Sequence, residues 1–411
     1  MNIVRFKVSQ ALSAISFLAV ALLFPGFFFY NAAVAFTIIP PIVGGGFGFV
    51  AMLLVVPLVF LQASDFILGR TAVSVQDVLF CSTVFFMLIW SGVHFLFGVD
   101  YQESLDFYKE VVSALMFWVV LYTSFRNFQP SRKSIAYVFG VSLVLMLIIS
   151  LMNASGQMFY AASAAAKDVQ VASYQGFARS ALVTSIILLS ICRGAETIFL
   201  VAGGVVLLFV LGARSEFAGF FLVSFAVIYS RLGLKRAVFV WGPILLSSLA
   251  ILAFQANVFD SDSRILQLLD IGDSSSFLAR KEAQEYALNT IENNPLWGDY
   301  ASSLLLGGRG YYSHDALSAW VNYGLLGFLL FVGLNIHAFG RSARAALDPS
   351  SLVRPPVVIF AFGMALYSLL MMIFSKSVFD PIFAVAWGAV SSRQFGLFAL
   401  NNPRSSDGVK Q

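Results

Sequence analysis

Charged residues are scarce in this sequence. Asp, Glu, Lys and Arg make up 11% of its 411 residues, whereas a typical soluble domain contains about a quarter. Apolar residues make up 59%, and the mean hydropathy is +0.85. A helix needs about 20 apolar residues to cross a bilayer, and the sequence contains many such runs. It therefore predicts an all-α, polytopic membrane protein, 1–411, organised as a single integral membrane domain.

Residues that bind metals or nucleotides are also few. The two cysteines, Cys81 and Cys192, are far apart and belong to no ligand cluster, so neither a disulfide framework nor a metal site is predicted. The sequence has no Walker-type phosphate loop and no HExxH motif, and no DxD-like acidic pair is expected in the outer loops. Chemistry that requires ATP, a sugar nucleotide or zinc is not expected, and no cofactor is predicted. The net charge of +4 is small for this length, and no nucleic-acid partner is expected.

About twelve apolar segments are predicted to cross the membrane. They lie near 10–30, 43–62, 78–98, 107–125, 134–152, 176–192, 195–212, 216–230, 237–254, 316–338, 353–374 and 379–396. In the first hundred residues, Pro25-Gly26 and Pro40-Pro41 could divide the apolar region into two spans or three.

The distribution of basic residues predicts the orientation. If the N-terminus is cytoplasmic, the inner loops and the C-terminal tail receive nearly all the basic clusters, as the positive-inside rule requires. These are Arg5, Lys7, Arg126, Arg132, Lys133, Arg231, Lys235, Arg236, Arg341, Arg344, Arg354, Arg393, Arg404 and Lys410. Both termini are therefore expected in the cytoplasm, and the long polar segment 255–315 forms a large outer loop between spans 9 and 10.

The outer loop is expected to contain a helix of its own. Asp273-Ser274-Ser275-Ser276 provides side-chain oxygens that can cap a helix N-terminus. An amphipathic helix follows near 276–292, with Ala279, Ala283, Tyr286 and Ala287 on one face. It should end at Asn293-Asn294-Pro295, because the residue before a proline avoids the α conformation.

Two arginines are candidates for binding an anionic substrate. Arg214 lies between two apolar runs, where it could equally reach lipid headgroups or pair with Glu216. Arg280, on the predicted loop helix, could bind a diphosphate through its guanidinium fork. It could also be an ordinary solvated side chain, as its charged neighbours suggest. Arg179 could extend a basic cavity on the same side.

The most informative histidine is His314, one of three in the chain. It lies where the outer loop re-enters the membrane, after the turn Gly307–Tyr312 that contains Arg309 and Tyr312. Imidazole titrates near neutrality, which suits His314 to act as a general base. The alternative is a polar residue at a helix start, since Ser313 and Asp315 are both good caps.

Three motifs in this half of the chain resemble those of the O-antigen ligase and O-antigen polymerase superfamily. They are Gly212-Ala213-Arg214-Ser215 between adjacent spans; Arg280 followed by Asn294-Pro295-Leu296-Trp297-Gly298; and Ser313-His314-Asp315 followed by Gly324-Leu325-Leu326-Gly327. They occur in the family's order across residues 195–340. Asp315 replaces the usual asparagine, and Ala213 replaces a common serine.

The resemblance implies a metal-independent, inverting glycosyltransferase in the bacterial inner membrane, with its active site facing the periplasm. The donor would be a glycan on undecaprenyl diphosphate, and the acceptor a second glycan or a lipid A-core sugar. Arg214 and Arg280 would hold the diphosphate, and His314 would accept the proton of the attacking hydroxyl. Arg309, Tyr312 and Asp315 would bind substrate. Membrane lipid and a chain-length regulator are further candidate partners.

Three alternatives remain open. Within the transferase class, a polymerase of O-antigen or exopolysaccharide is favoured over a ligase, although the motifs barely separate them. A transporter or flippase for lipid-linked glycan would predict internal repeats and ionisable residues at mid-membrane depth. A purely structural membrane subunit would leave His314 and Arg280 replaceable.

Overall fold

A computed structural model describes residues 2–40, 47–69, 73–97, 101–130, 133–155, 158–159, 174–255, 275–302, 313, 315–349 and 353–400. Apart from one pair of two-residue strands, β1 (Ala154–Ser155) and β2 (Met158–Phe159), the regular elements of these residues are helical. The α-helices are α1 (Asn2–Ala21), α2 (Phe27–Ala35), α3 (Phe47–Ile67), α4 (Val75–Phe97), α5 (Tyr101–Asn127), α6 (Lys133–Met152), α7 (Tyr174–Ile191), α8 (Ala195–Val210), α9 (Arg214–Leu232), α10 (Leu234–Gln255), α11 (Ser275–Asn293), α12 (Leu317–Leu347), α13 (Pro356–Phe374), α14 (Phe383–Val390) and α15 (Arg393–Leu400).

Many of these helices are built for a membrane. Seven helices of the described ranges are long and apolar enough to cross a bilayer. They are Ala11–Ala35, Val75–Phe97, Lys133–Met152, Tyr174–Ile191, Arg214–Leu232, Leu317–Leu347 and Pro356–Phe374. The prediction of an all-α, multi-pass membrane protein is confirmed. The count of about twelve spans stays a prediction.

Pro25 does not divide the first apolar region. Residues Leu22–Gly26 form a single π-helical turn that joins α1 to α2. Proline removes one backbone donor from a helix, and a widened turn of this kind accommodates the missing bond. The apolar segment Ala11–Ala35 is therefore one continuous helical span of 25 residues.

The last predicted span, 379–396, is wrong as a single helix. The chain forms two eight-residue helices there, α14 and α15, separated by Ser391 and Ser392. Every residue of α14 is buried, and eight residues extend only about 12 Å. At Gly388 an added Cβ would lie 2.4 Å from the carbonyl oxygen of Tyr122, so α14 packs directly on the backbone of α5. Its hydrophobicity reflects burial in protein.

The core lies where α5, α12, α13 and α14 meet. Trp118 and Trp387 pack edge to face with ring centroids 4.9 Å apart, and both are buried. The indole N–H of Trp387 donates to Asn335 Oδ1 at 3.1 Å, so this large ring is both packed and hydrogen-bonded. These contacts fix how the core helices are rotated about their own axes.

A polar cluster around Asp77 connects α4 to α5. Arg126 donates two hydrogen bonds to the Asp77 carboxylate, at 3.0 and 3.2 Å, and Tyr122 Oη also donates to it. Ser74 Oγ caps the start of α4 by accepting the backbone N–H of Asp77 at 3.2 Å, and it donates to the same carboxylate at 2.7 Å. The carboxylate is buried and paired by a bidentate guanidinium, the geometry that best offsets the loss of hydration.

Candidate functional site

The segment after α11 docks onto a break in α12. Leu325 N–H donates to the carbonyl of Leu296 at 3.2 Å, and Asp299 N–H donates to the carbonyl of Val321 at 2.6 Å. The indole N–H of Trp320 donates to the carbonyl of Pro295 at 2.7 Å. Residues 294–302 are called the docked segment below. This segment binds backbone groups of α12 that would hydrogen-bond to each other in an uninterrupted helix.

Two glycines make this approach feasible. Gly324 has φ 63° and ψ −170° inside α12, a region that is essentially closed to residues with a Cβ. An added Cβ at Gly324 would lie 2.1 Å from the carbonyl oxygen of Leu296, and one at Gly298 (φ 70°) would lie 2.4 Å from that of Val321. Gly298 of the second motif and Gly324 of the third motif thus lie at the same backbone contact, one in each segment.

The start of α12 is capped by Asp315. Its Oδ1 accepts the backbone N–H of Leu317 at 2.9 Å and the hydroxyl of Ser313 at 2.5 Å. Burial raises the pKa of the Asp315 carboxyl. Asp315 therefore caps α12, and Ser313 supports its carboxylate. The alternative that His314 is a polar residue at a helix start falls outside the described residues, and a role of Asp315 in substrate binding stays a prediction.

A buried ionic cluster lies at the same end of the bundle. Lys376 Nζ is 2.9 Å from Glu216 Oε1, with the two side chains 5% and 0% exposed. Arg179 Nη2 is 2.6 Å from Asp380 Oδ2, and Lys376 also donates to Gln175 at 3.2 Å. Two cations and two carboxylates thus neutralise one another between α7, α9 and the segment after α13.

Sequence reasoning missed the central member of this cluster. Lys376 follows an apolar helix and shows no motif, and Glu216 entered only as an alternative partner of Arg214. The one signal available was a lysine and an aspartate, Lys376 and Asp380, within an otherwise apolar region. Charges in such a position are expensive unless paired, which could have predicted a buried partner without identifying it.

The cluster connects the first motif to the third. Ser318, in the first turn of α12, accepts the backbone N–H of Val378 at 2.8 Å and donates to the carbonyl of Asp315 at 2.7 Å. Val378 is two residues from Lys376, the partner of Glu216. The starts of α9 and α12 are therefore bridged by one short stretch of chain.

The six predicted site residues differ in how the structure places them. Arg214 is the first residue of α9 and is half-buried, beside the ionic cluster. Arg280 is exposed on α11, and the hydrogen bond from this helix to the docked segment is made by Tyr286, which donates to the carbonyl of Ser302 at 3.1 Å. Arg309, Tyr312 and His314 lie outside the described residues.

The helix predicted near 276–292 occupies Ser275–Asn293. Its buried positions include Ala283 and Ala287, which belong to the predicted apolar face. Asn293 is its last residue, at the predicted stop.

An aromatic group also surrounds the docked segment. Trp297 stacks on Trp90 with ring centroids 5.8 Å apart and an interplanar angle of 4°, yet it is 68% exposed. Tyr300 stacks on His94 at 4.9 Å, and burial raises the pKa of Tyr300 to about 12. His94, which also packs on Trp90, is part of this group.

The expectation that the outer loops contain no DxD-like acidic pair is wrong. Asp260-Ser261-Asp262 has the spacing of a DxD pair and lies in the predicted outer loop, outside the described residues. Among the residues that the structure describes, no group of three or more His, Cys, Asp or Glu could hold a metal ion. The expectation of metal independence therefore depends on the family resemblance.

No family model and no curated protein sequence matches this chain. The assignment of a function therefore depends on the residues of the site and on their arrangement.

Proposed function

We propose that this chain is a membrane glycosyltransferase that moves a glycan from undecaprenyl diphosphate at the periplasmic face, most simply a polymerase of surface polysaccharide. The observation that carries the proposal is that the Asn294–Gly298 part of the second motif, the third motif and the start of α9 lie at one end of the bundle. Glycine-dependent backbone contacts join the second motif to the third, and the stretch from Lys376 to Val378 joins the third to the first.

The chemistry of that end suits a lipid diphosphate. Arg214 is half-buried at the N-terminus of α9, where a guanidinium can bind phosphate oxygens bidentately with little competition from water. The neighbouring Lys376 and Arg179 are engaged by Glu216 and Asp380. This pairing supports a role in which those two cations hold the site together, and the family resemblance is what assigns Arg214 and Arg280 to the substrate.

The proposed reaction is a single displacement. An acceptor hydroxyl attacks the anomeric carbon of the donor sugar while His314 accepts the hydroxyl proton. The new glycosidic C–O bond forms as the bond from the anomeric carbon to the diphosphate oxygen breaks. Undecaprenyl diphosphate leaves with the electron pair, and Arg214 and Arg280 stabilise its negative charge. The configuration at the anomeric carbon inverts.

The buried ionic cluster also bears on the rival class of transporters. A transporter would place ionisable groups at mid-membrane depth. Here Glu216 is the third residue of α9 and Lys376 lies two residues beyond the end of α13, so this buried pair is within a turn of the helix ends. This location favours a site open to the periplasm over a transport pathway through the bilayer.

The decisive experiment is the surface-glycan profile of a strain lacking the gene, together with its lipid-linked intermediates. Core bearing one repeat unit would indicate a polymerase, and bare core with long chains left on undecaprenyl diphosphate would indicate a ligase. Loss of a secreted polysaccharide with normal core would indicate an exopolysaccharide polymerase. An unchanged profile would refute the glycosyltransferase proposal.

Complementation then tests the residue roles. His314→Ala and Arg280→Ala should abolish transfer at normal protein levels, and Arg214→Lys should impair it because an ammonium cannot reproduce the fork. Lys281→Ala is the matched control, since Lys281 is an exposed neighbour of Arg280 on the same helix. Full activity of either alanine variant at position 280 or 314 would rule out its assigned role.

A further inference from the structure

The last turns of α12 line a cavity of about 920 Å³. Its lining comes from the end of α12 and from α15, and includes Ile336, His337, Gly340, Arg341, Arg344 and Leu347. Arg341 lies about 35–40 Å along α12 from Asp315, at a rise of about 1.5 Å per residue. That distance exceeds the apolar thickness of a bilayer, about 30 Å, so the cavity lies at the opposite membrane boundary from the candidate site.

Among the described residues that line the cavity, basic side chains outnumber carboxylates. His337, Arg341 and Arg344 follow one another at helical spacing, so they lie along one side of α12. One carboxylate, Asp348, belongs to the same lining. The Arg341 guanidinium carbon is 5.3 Å from the centre of the Phe395 ring, and this cation–π contact holds it against α15.

His337 is held by α4. Its Nδ1 lies 2.5 Å from Gln76 Oε1, and the Gln76 amide nitrogen donates to the carbonyl of Leu334 at 3.3 Å. Because that amide nitrogen is directed at Leu334, Oε1 is the acceptor and His337 Nδ1 is the donor. The ring is thus oriented, and Nε2 is the nitrogen through which it could meet a ligand.

The remaining lining is apolar and open. Ile336 is 55% exposed and Leu347 is 43% exposed. Gly340 has no atom within 4 Å of the position that a Cβ would take. Guanidinium groups beside an apolar wall at a membrane boundary match a ligand with a phosphate head and a hydrocarbon tail. Free phosphate would use the guanidinium groups alone.

We propose that this cavity binds an anionic phospholipid, with its phosphate held by Arg341 and Arg344 and an acyl chain lying along Ile336 and Leu347. The proposal is independent of glycosyl transfer, because the cavity and the candidate site lie at opposite ends of α12.

The test is native mass spectrometry of the purified full chain, titrated with phosphatidylglycerol or phosphatidylcholine. The wild type should retain phosphatidylglycerol selectively. Arg341→Gln should weaken that binding about 5-fold and Arg341→Gln with Arg344→Gln about 25-fold, since each basic group near a lipid surface contributes about that factor. Arg236→Gln is the control, because Arg236 is exposed on α10 and does not belong to the cavity lining.

A second variant separates charge from shape. Gly340→Leu keeps both arginines and places a side chain in the cavity, so it should also lose the lipid while the thermal unfolding of the protein is retained. Equal retention of phosphatidylglycerol by the wild type, the double arginine variant and Gly340→Leu would overturn the proposal. Binding of inorganic phosphate as tight as that of the lipid, with no selective lipid retention, would equally overturn it.

Discussion

Replacing Gly324 by alanine should release the docked segment from α12. An alanine at φ 63° and ψ −170° costs about 1–3 kcal/mol in backbone strain. Its Cβ would also lie 2.1 Å from the carbonyl oxygen of Leu296, so the two chains must separate. Separation breaks the hydrogen bonds from Leu325 to Leu296 and from Asp299 to Val321, which contribute about 0.5–1.5 kcal/mol each.

Together these terms destabilise the docked arrangement by about 2–6 kcal/mol. Hydrogen exchange of the backbone amides in the docked segment measures the effect directly. A loss of about 3 kcal/mol lowers amide protection roughly 100-fold. Asp299 and Leu325 should show the largest change, because their amides donate across the contact.

Gly333→Ala is the matched control on the same helix. Gly333 has no atom within 4 Å of its Cβ position, and alanine is favoured over glycine in a helix by up to about 1 kcal/mol. This variant should leave protection of the docked segment unchanged and slightly stabilise α12. Unchanged protection in Gly324→Ala as well would refute the reasoning, because it would mean that the glycine conformation is not what permits the contact.

Two further predictions concern the charged residues near the candidate site. Lys376→Met should lower the free energy of unfolding by about 3–5 kcal/mol, since it leaves Glu216 buried without its cation. In thermal unfolding in detergent, adding Glu216→Gln should recover part of that loss, and no recovery would contradict the pairing. Burial raises the pKa of the Asp315 carboxyl, so the folded state binds this proton more tightly than the unfolded state does. The stability that the bound proton contributes is lost as pH rises through the folded-state pKa. Asp315→Asn keeps an acceptor for the Leu317 N–H without the charge. Its melting temperature relative to that of the wild type should therefore increase from about pH 4 to neutrality, and a decrease over that range would contradict the raised pKa.

The helical elements could be predicted well because their signal is local. Long apolar runs predict membrane helices from the residues within each run. Asn293-Asn294-Pro295 likewise predicted the end of α11, which stops at Asn293, because the steric effect of proline acts on the residue before it. The docked contact was not predicted, because the sequence identifies Gly298 and Gly324 as motif glycines without showing that their backbones are in contact.

The last predicted span shows where local reasoning fails. The apolar residues of 379–396 are typical of a membrane helix, yet α14 is buried against α5 and is too short to cross a bilayer. Hydrophobicity alone cannot distinguish a side chain that faces lipid from one that faces protein, because both environments exclude water.

By itself the sequence determined the class of protein, most of the helices and the side chains that could carry chemistry, because composition, apolar runs and turn residues act over short distances along the chain. Only the tertiary structure decided which of those residues meet. Lys376 and Glu216 are 160 positions apart in the printed sequence, and their pairing depends on how α9 and the end of α13 pack. Contacts with α12 likewise place the Asn-Pro-Leu-Trp-Gly segment on the break at Gly324, where a backbone without a Cβ leaves room for a second backbone segment.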